Sequence, residues 1–210
     1  MCGISGGIGP RTYEAVEDSL SSLKRRGPDS QNLHRFPNGL TLGAARLAMT
    51  DPHPRSNQPF LNLETGNALV FNGEIYNFKI LRSELQEKGI EFITDSDTEV
   101  VLKCLEFYGT EIIAKLEGMF AFAFFDSMKN ELVLSRDFLG KKPLYFSTKN
   151  SSIFFSSQIS VIKKFINAKE IDNRSLSTYL QLGYLLDPFT MYSDISAVQA
   201  GEVIKIDLSK

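Results

Sequence analysis

The chain has 210 residues, 42% of them apolar, with 23 Lys and Arg against 25 Asp and Glu and a formal net charge of −2. That supports one sizeable hydrophobic core, and with no basic run or stripe it points away from nucleic acid. The N-terminus lacks a signal-peptide pattern, the apolar stretch MFAFAFF at 119–125 is too short to span a bilayer, and two cysteines with two histidines leave no disulfide framework and no spare metal set, so a cytoplasmic, metal-independent protein with no membrane partner is expected.

The chain opens MCGISGGIGP, a cysteine directly after Met1 followed by small residues. Val16, Leu20 and Leu23 fall at i, i+4 and i+7, so 13–24 reads as an amphipathic helix, and GPDSQN follows as a turn or loop. Residues 40–47 and 67–71 read as short strands, the second running into Asn72-Gly73. Phe78, Leu81 and Leu85 mark a helix, and Val100, Val101, Cys104, Leu105 and Tyr108 another, which places Cys104 on a buried face as a structural thiol. From 119 the texture becomes strands: GMFAFAFFD, ELVLSRD, PLYFST and SIFFSS, separated by turn residues that include Lys149-Asn150-Ser151-Ser152. Their near-continuous apolar character suggests stacked sheets buried on both faces. Helical patterns near 159–166 and 175–182 precede a last strand, EVIKIDL. With helices in the middle and strands on either side, an α+β fold in a single domain spanning 1–210 is expected.

Several segments invite chemistry. Ser5-Gly6-Gly7-Ile8-Gly9 has the small residues of a phosphate loop but no Gly-Lys-Ser/Thr ending, so close backbone packing is the better reading. Asp137-Phe138-Leu139-Gly140 matches a kinase DFG only by accident. His34 and His53 sit among Pro, Asn and Arg in loop-like sequence, which leaves no obvious histidine base for a nucleophile. An α-amine is another base. Removal of Met1 would leave Cys2 with both a thiol and a free amine whose reference pKa of roughly 7.7–8.0 keeps about a third of it neutral near pH 7.5. Asn72-Gly73 reads either as a hairpin turn or as two N–H donors converging on one oxyanion. Arg46, interrupting the strand AARLAM, is either a snorkelling edge residue or a carboxylate clamp. Asp97 in DSDTE competes with Asp95 and Ser96 as a helix N-cap.

Taken together and in order, Cys2-Gly3-Ile4, Arg26-Gly27-Pro28-Asp29, Arg46-Leu47, Asn72-Gly73-Glu74-Ile75-Tyr76-Asn77, Ser96-Asp97, Gly118-Met119-Phe120-Ala121-Phe122-Ala123 and Arg136-Asp137-x-x-Gly140-x-Lys142-Pro143-Leu144-Tyr145 resemble the N-terminal glutaminase domain of glutamine-hydrolysing asparagine synthetases. The resemblance covers roughly 2–207, with NGEIYN and RDxxGxKPLY its most specific parts. It implies a class II glutamine amidotransferase of the N-terminal-nucleophile hydrolase fold: a four-layer αββα sandwich of two antiparallel sheets. It also implies roles. Cys2 is the nucleophile with its own α-amine as base, and Asn72 with the Gly73 N–H forms the oxyanion hole. Arg46 takes the α-carboxylate of L-glutamine, Asp97 its ammonium with Glu74 assisting, and Arg26, Gly27, Pro28 and Asp29 shape a loop over the substrate. The glutaminase step needs no cofactor; ATP and Mg belong to an ammonia-accepting synthetase domain.

The sequence departs from the family pattern at Arg25, Gln158 and Ser160, and no SGGxDS pyrophosphate loop occurs in it. The expectation is therefore a domain of a longer protein or a free-standing ammonia donor. A glutamine-binding regulatory module without turnover, or the amidotransferase domain of an enzyme amidating a carboxylate other than aspartate, are the alternatives.

Overall fold

A computed structural model describes residues 1–149 and 151–209; Asn150, in the predicted turn, and Lys210 lie outside the described residues. The strands are β1 (Gly3–Ile8), β2 (Ser30–Arg35), β3 (Thr41–Arg46), β4 (Phe60–Leu61), β5 (Ala68–Ile75), β6 (Gly118–Asp126), β7 (Glu131–Arg136), β8 (Tyr145–Ser147), β9 (Ile153–Ser156), β10 (Ser196–Ala197) and β11 (Val203–Asp207). The helices are α1 (Thr12–Leu23), α2 (Phe78–Glu87), α3 (Asp97–Tyr108), α4 (Ile159–Ile166) and α5 (Asn173–Leu182).

The strands form two antiparallel sheets, ordered β10-β8-β9-β1-β3-β2 and β11-β7-β6-β5-β4. Side-chain alternation along each strand sorts the residues between two layers. In β6, Phe120, Phe122 and Phe124 pack under α2 and α3, whereas Ala121, Ala123 and Phe125 face the other sheet. In β9, Phe155 enters the inter-sheet layer and Phe154 packs with α1 and α4. The result is the expected αββα sandwich. Phe71, Phe122, Phe154 and Phe155 are almost fully buried, each worth roughly 1.5–3 kcal/mol relative to exposure.

The opening glycines form β1, paired with β3 and β9, not a phosphate loop. A Cβ on Gly6 would meet Phe155 at 2.5 Å and one on Gly7 would meet the Ile153 carbonyl at 2.4 Å, so small residues let β1 thread the middle of its sheet. Strand β2 occupies 30–35, where turn residues led to a loop expectation, and it carries His34. As an edge strand with a half-solvated face it has no apolar alternation to betray it. Helix α5 forms as expected, but Tyr179, Leu180 and Leu182 on it remain exposed.

Candidate active site

The site follows from register. β1 and β3 pair antiparallel with Gly3 opposite Ala45, so the next pair outward is Cys2 opposite Arg46. Ile4, Leu42 and Ala44 face the inter-sheet layer, and alternation sends Cys2 and Arg46 the same way. In the second sheet Ala68 and Val70 face that layer, and Asn72 continues their row. At this end of the sandwich the apolar rows give way to a cysteine, an arginine and an asparagine. All three line one cavity of about 150 Å³ with Gly73, Glu74, Asp97, Met119 and Lys142.

The Leu47 N–H donates to the Cys2 Sγ at 3.4 Å, and the Cys2 thiol approaches the Leu47 carbonyl at 3.8 Å. Burial pushes the Cys2 thiol up from its ordinary value, opposed by the Leu47 N–H, the terminal ammonium and Arg46, and reinforced by Asp97. Met1 is in place and more than half exposed, its ammonium pulled down by burial and by nearby Lys142 and Arg26. Cys104 lies fully buried in the helical layer, as a structural thiol should, its pKa pushed up to about 12 by burial.

Asn72-Gly73 is not a turn. Strand β5 runs straight through both residues to Ile75. Both the Nδ2 and Oδ1 of Asn72 are buried with no hydrogen-bond partner among the described residues. A buried amide left unpaired costs about 1–3 kcal/mol per group, so such an arrangement persists where something else is to be bound. The Gly73 N–H is aimed by strand geometry. Phe71 donates its N–H to Gln58 Oε1 at 2.6 Å and Ile75 to Asp97 Oδ2 at 3.1 Å, both away from β6. Backbone groups alternate sides along a strand, so Gly73, midway between them, sends its N–H to that same side, where the cavity lies. Opposite Gly73, Phe120 exchanges both its backbone bonds with Asp137 instead, at 2.8 and 3.2 Å. A Cβ on Gly73 would lie 2.4 Å from the Met119 carbonyl, so only glycine fits.

Arg46 is 5% exposed at the end of an interior strand, which excludes the snorkelling-edge reading. Its Nη1 donates to the His53 carbonyl at 3.2 Å and Asn57 Oδ1 at 3.0 Å, and its Nη2 to the Asp51 carbonyl. Three of the five guanidinium donors are thus occupied, leaving the Nε–H and one Nη2–H as a side-on pair for a carboxylate.

Asp51 holds this loop together, a role the sequence did not reveal. Its carboxylate accepts from the His53 N–H at 3.0 Å, Ser56 Oγ at 2.8 Å, the Asp95 N–H at 3.0 Å and Arg55 Nε at 3.2 Å. Burial opposes its ionisation, but these bonds outweigh it and hold the carboxyl well below the usual range. DPHPRS carries the signal of an Asx-type turn, which gives no hint of a buried carboxylate.

Ser96 caps α3, accepting from the Thr98 N–H at 3.1 Å, which frees Asp97 in the first turn to face the cavity. Asp97 accepts from the Ile75 N–H at 3.1 Å and Thr50 Oγ1 at 3.2 Å. Burial nonetheless raises its carboxyl above the ordinary value, with exposed Glu74 adding like-charge repulsion. A cation placed here would relieve both.

Arg26, Gly27, Pro28 and Asp29 are not among the residues lining the cavity; their contacts are with the strands that carry it. Arg26 Nε donates to the Cys2 carbonyl at 3.1 Å, the Asp29 N–H to the Arg46 carbonyl at 3.0 Å, and Asp29 Oδ2 accepts from the Ala48 N–H at 2.8 Å. Gly27 passes so close to β3 that a Cβ would meet the Ala45 carbonyl at 2.0 Å. The segment buttresses the strand ends that carry Cys2 and Arg46. In the RDxxGxKPLY motif, Asp137 accepts the N–H groups of Leu139, Lys141 and Lys142 at 3.1, 2.9 and 3.0 Å, and Arg136 Nε donates to the Lys142 carbonyl at 2.8 Å. That knot delivers the Lys142 side chain to the cavity.

Among the described residues, no group of three or more His, Cys, Asp or Glu is placed to hold a metal, and no helix is long and apolar enough to cross a membrane. The chain superposes on the glutamine phosphoribosylpyrophosphate amidotransferase of B. subtilis with a TM-score of 0.70 at 18% identity, over 99% of this chain and 49% of that one, a likeness of fold. In sequence it is 33% identical over 98% of its length to asparagine synthetase [glutamine-hydrolyzing] 1 of Bacillus subtilis, and 37% identical over 77% to asparagine synthetase [glutamine-hydrolyzing] 2 of Arabidopsis thaliana. The chain spans 33% and 28% of the length of these two curated relatives. The sequence profile of the glutamine amidotransferase domain matches residues 1–210. The chain therefore belongs to the glutamine amidotransferase domain family, with the N-terminal-nucleophile hydrolase fold and, as its relatives, glutamine-hydrolysing asparagine synthetases.

Proposed function

We propose that residues 1–210 act as one glutaminase domain in which Cys2, freed of Met1, hydrolyses the side-chain amide of L-glutamine. The observation that carries this reading is the buried, wholly unpartnered Asn72 amide sharing a cavity with the Cys2 thiol. The Cys2 Sγ attacks the amide carbon, forming the S–C bond while the thiol proton passes to the α-amine. The carbonyl oxygen becomes an oxyanion held by Asn72 Nδ2 and the Gly73 N–H. Collapse breaks the C–N bond, and the amine returns its proton to the leaving nitrogen, giving ammonia and a γ-glutamyl thioester. Water then attacks the thioester with the amine as base, and the thiolate leaves with a proton as glutamate is released. Each step uses only the chain's own groups and water.

Charge selects the substrate. The Nε and Nη2 donors left on Arg46 suit the α-carboxylate, and Asp97 with Glu74 suits the α-ammonium. The relatives, about three times as long and named asparagine synthetases, support a further domain that accepts the ammonia to make asparagine, and ATP and Mg would act there rather than at Cys2. The test is glutamate release by protein whose intact mass lacks Met1, set beside protein with a non-removable N-terminal extension. Turnover in the first and none in the second supports the α-amine mechanism. Full turnover in the extended protein sinks it.

A further inference from the structure

Lys142 is the one cavity-lining charge that the scheme above leaves without a task. It is 5% exposed, and its backbone is fixed by Asp137 and Arg136. Its Nζ makes no hydrogen bond or ion pair among the described residues, although other lysines here, such as Lys129 and Lys164, find carboxylates at 2.7 and 3.0 Å. Burying an ammonium without a counter-ion is costly. A packing role would be served at less cost by a methionine.

The groups around it define what the charge can act on. Met1 and Cys2 lead into β1, Arg26 and Asp29 follow α1, Arg46 ends β3, Glu74 lies on β5, Asp97 begins α3, Asp137 follows β7 and Tyr145 begins β8. Asp29, Asp97 and Asp137 accept from backbone N–H donors, and Glu74, which lines the cavity, is exposed to solvent, so its charge is screened. The Met1 ammonium and the Cys2 thiol share the cavity with Lys142, and the charges of Lys142 and Arg26 act on both; removal of Met1 moves the terminal amine onto Cys2, in that same cavity.

We infer that Lys142 is a charge-tuning residue of the site: a cation without an ion pair among the described residues, in the cavity it shares with Cys2, it favours loss of a proton from the Cys2 thiol–amine pair and so keeps the amine competent as a base. A cation near an ammonium destabilises the protonated form, and near a thiol it stabilises the thiolate, so both effects have the same sign. The two groups titrate as a pair, and the shift belongs to the pair. Burial and Arg26 hold the Lys142 ammonium below its ordinary value, while Asp137, Glu74 and Cys2 pull it back up.

This inference rests on the glutaminase reading, and one experiment separates the two. The pH dependence of kcat/KM for glutamine is measured for wild type, Lys142→Met and Lys142→Arg, beside the pH dependence of Cys2 alkylation by iodoacetamide, which needs no turnover. Lys142→Met should move the acid limb of both profiles up by about half a pH unit, a loss of roughly threefold at a fixed pH below the limb, and Lys142→Arg should restore it. Coincident profiles for wild type and Lys142→Met overturn the inference. Wild-type protein that alkylates with the predicted Lys142 dependence but releases no glutamate overturns the glutaminase reading and leaves the tuning intact.

Discussion

The Leu47 N–H donates to the Cys2 sulfur at 3.4 Å, while the Leu47 carbonyl lies 3.8 Å from the same atom. One peptide segment thus offers a donor to the thiolate and an acceptor to the thiol, holding the sulfur in place in both protonation states. Both come from the chain just beyond β3, which Asp29 clamps through the Arg46 carbonyl and Ala48 N–H. A hydroxyl in place of the thiol keeps the size but loses the easily formed anion. Cys2→Ser should therefore lower glutamate release by on the order of 10⁴-fold or more, with an unchanged melting temperature, measured by enzyme-coupled glutamate detection.

Asn72 should separate activity from stability. Its side-chain amide makes no hydrogen bond among the described residues, so Asn72→Ala removes none of those bonds. The expected result is a fall in kcat of roughly 10²–10³ with little change in KM, and a melting temperature equal to or above that of the wild type. A large loss of stability would show that the amide is structural.

Gly73 should behave in the opposite way. A methyl there collides with the Met119 carbonyl on the neighbouring strand, backbone that cannot swing aside. Gly73→Ala should cost about 1–3 kcal/mol in chemical denaturation as β5 and β6 are forced apart, and abolish turnover with it.

Much of this was legible in the sequence. The long apolar strands β6, β7 and β9, and the helices α1 to α4, announce themselves by periodicity because each buries a face against a sheet or helix. What stayed hidden was whatever lacks an apolar signal. β1 is built from glycines chosen for close approach, and β2 is an edge strand with polar residues on its open face. Asn72-Gly73 has the composition of a turn because the strand there stops serving the core and starts serving the cavity. The proposed site residues were visible through order and motif, but the reasons for RGPD and RDxxGxKPLY were not. Those motifs hold strand ends and a loop in place, and only the contacts of Arg26, Asp29, Arg136 and Asp137 reveal it.

Asp97 should set both affinity and its pH dependence. Asp97→Asn can keep its amide oxygen as acceptor for the Ile75 N–H, with its NH2 donating to the Thr50 hydroxyl instead, but loses the charge offered to an α-ammonium. KM for glutamine should rise roughly 10- to 100-fold, the worth of one charge-assisted bond of about 1.5–3 kcal/mol. Because its carboxyl sits above the ordinary value, the wild-type KM should begin rising on acidification at a higher pH than an unperturbed aspartate would produce. The stability sign runs the other way. A raised carboxyl pKa contributes stability below the unfolded pKa and loses it as pH rises through the folded value, so Asp97→Asn should not destabilise the protein at pH 7.

Asp51 gives the contrasting pH signature. Its depressed carboxyl contributes stability that is complete above the unfolded pKa of about 3.9 and is lost as pH falls toward the folded value. Asp51→Asn should cost roughly 2–3 kcal/mol at pH 7 by urea unfolding, shrinking as pH falls below about 4. It should also raise KM, because the Arg46 guanidinium donates to the Asp51 carbonyl in the same loop.

The most direct measurement of the central claim is covalent capture. Protein lacking Met1 is incubated with an electrophilic glutamine analogue, digested, and mapped by mass spectrometry while glutamate release is followed in parallel. A single adduct on the N-terminal Cys2, formed in step with loss of activity and slowed by glutamine, is the predicted result. An adduct on Cys104, or activity that survives full modification of Cys2, would contradict it.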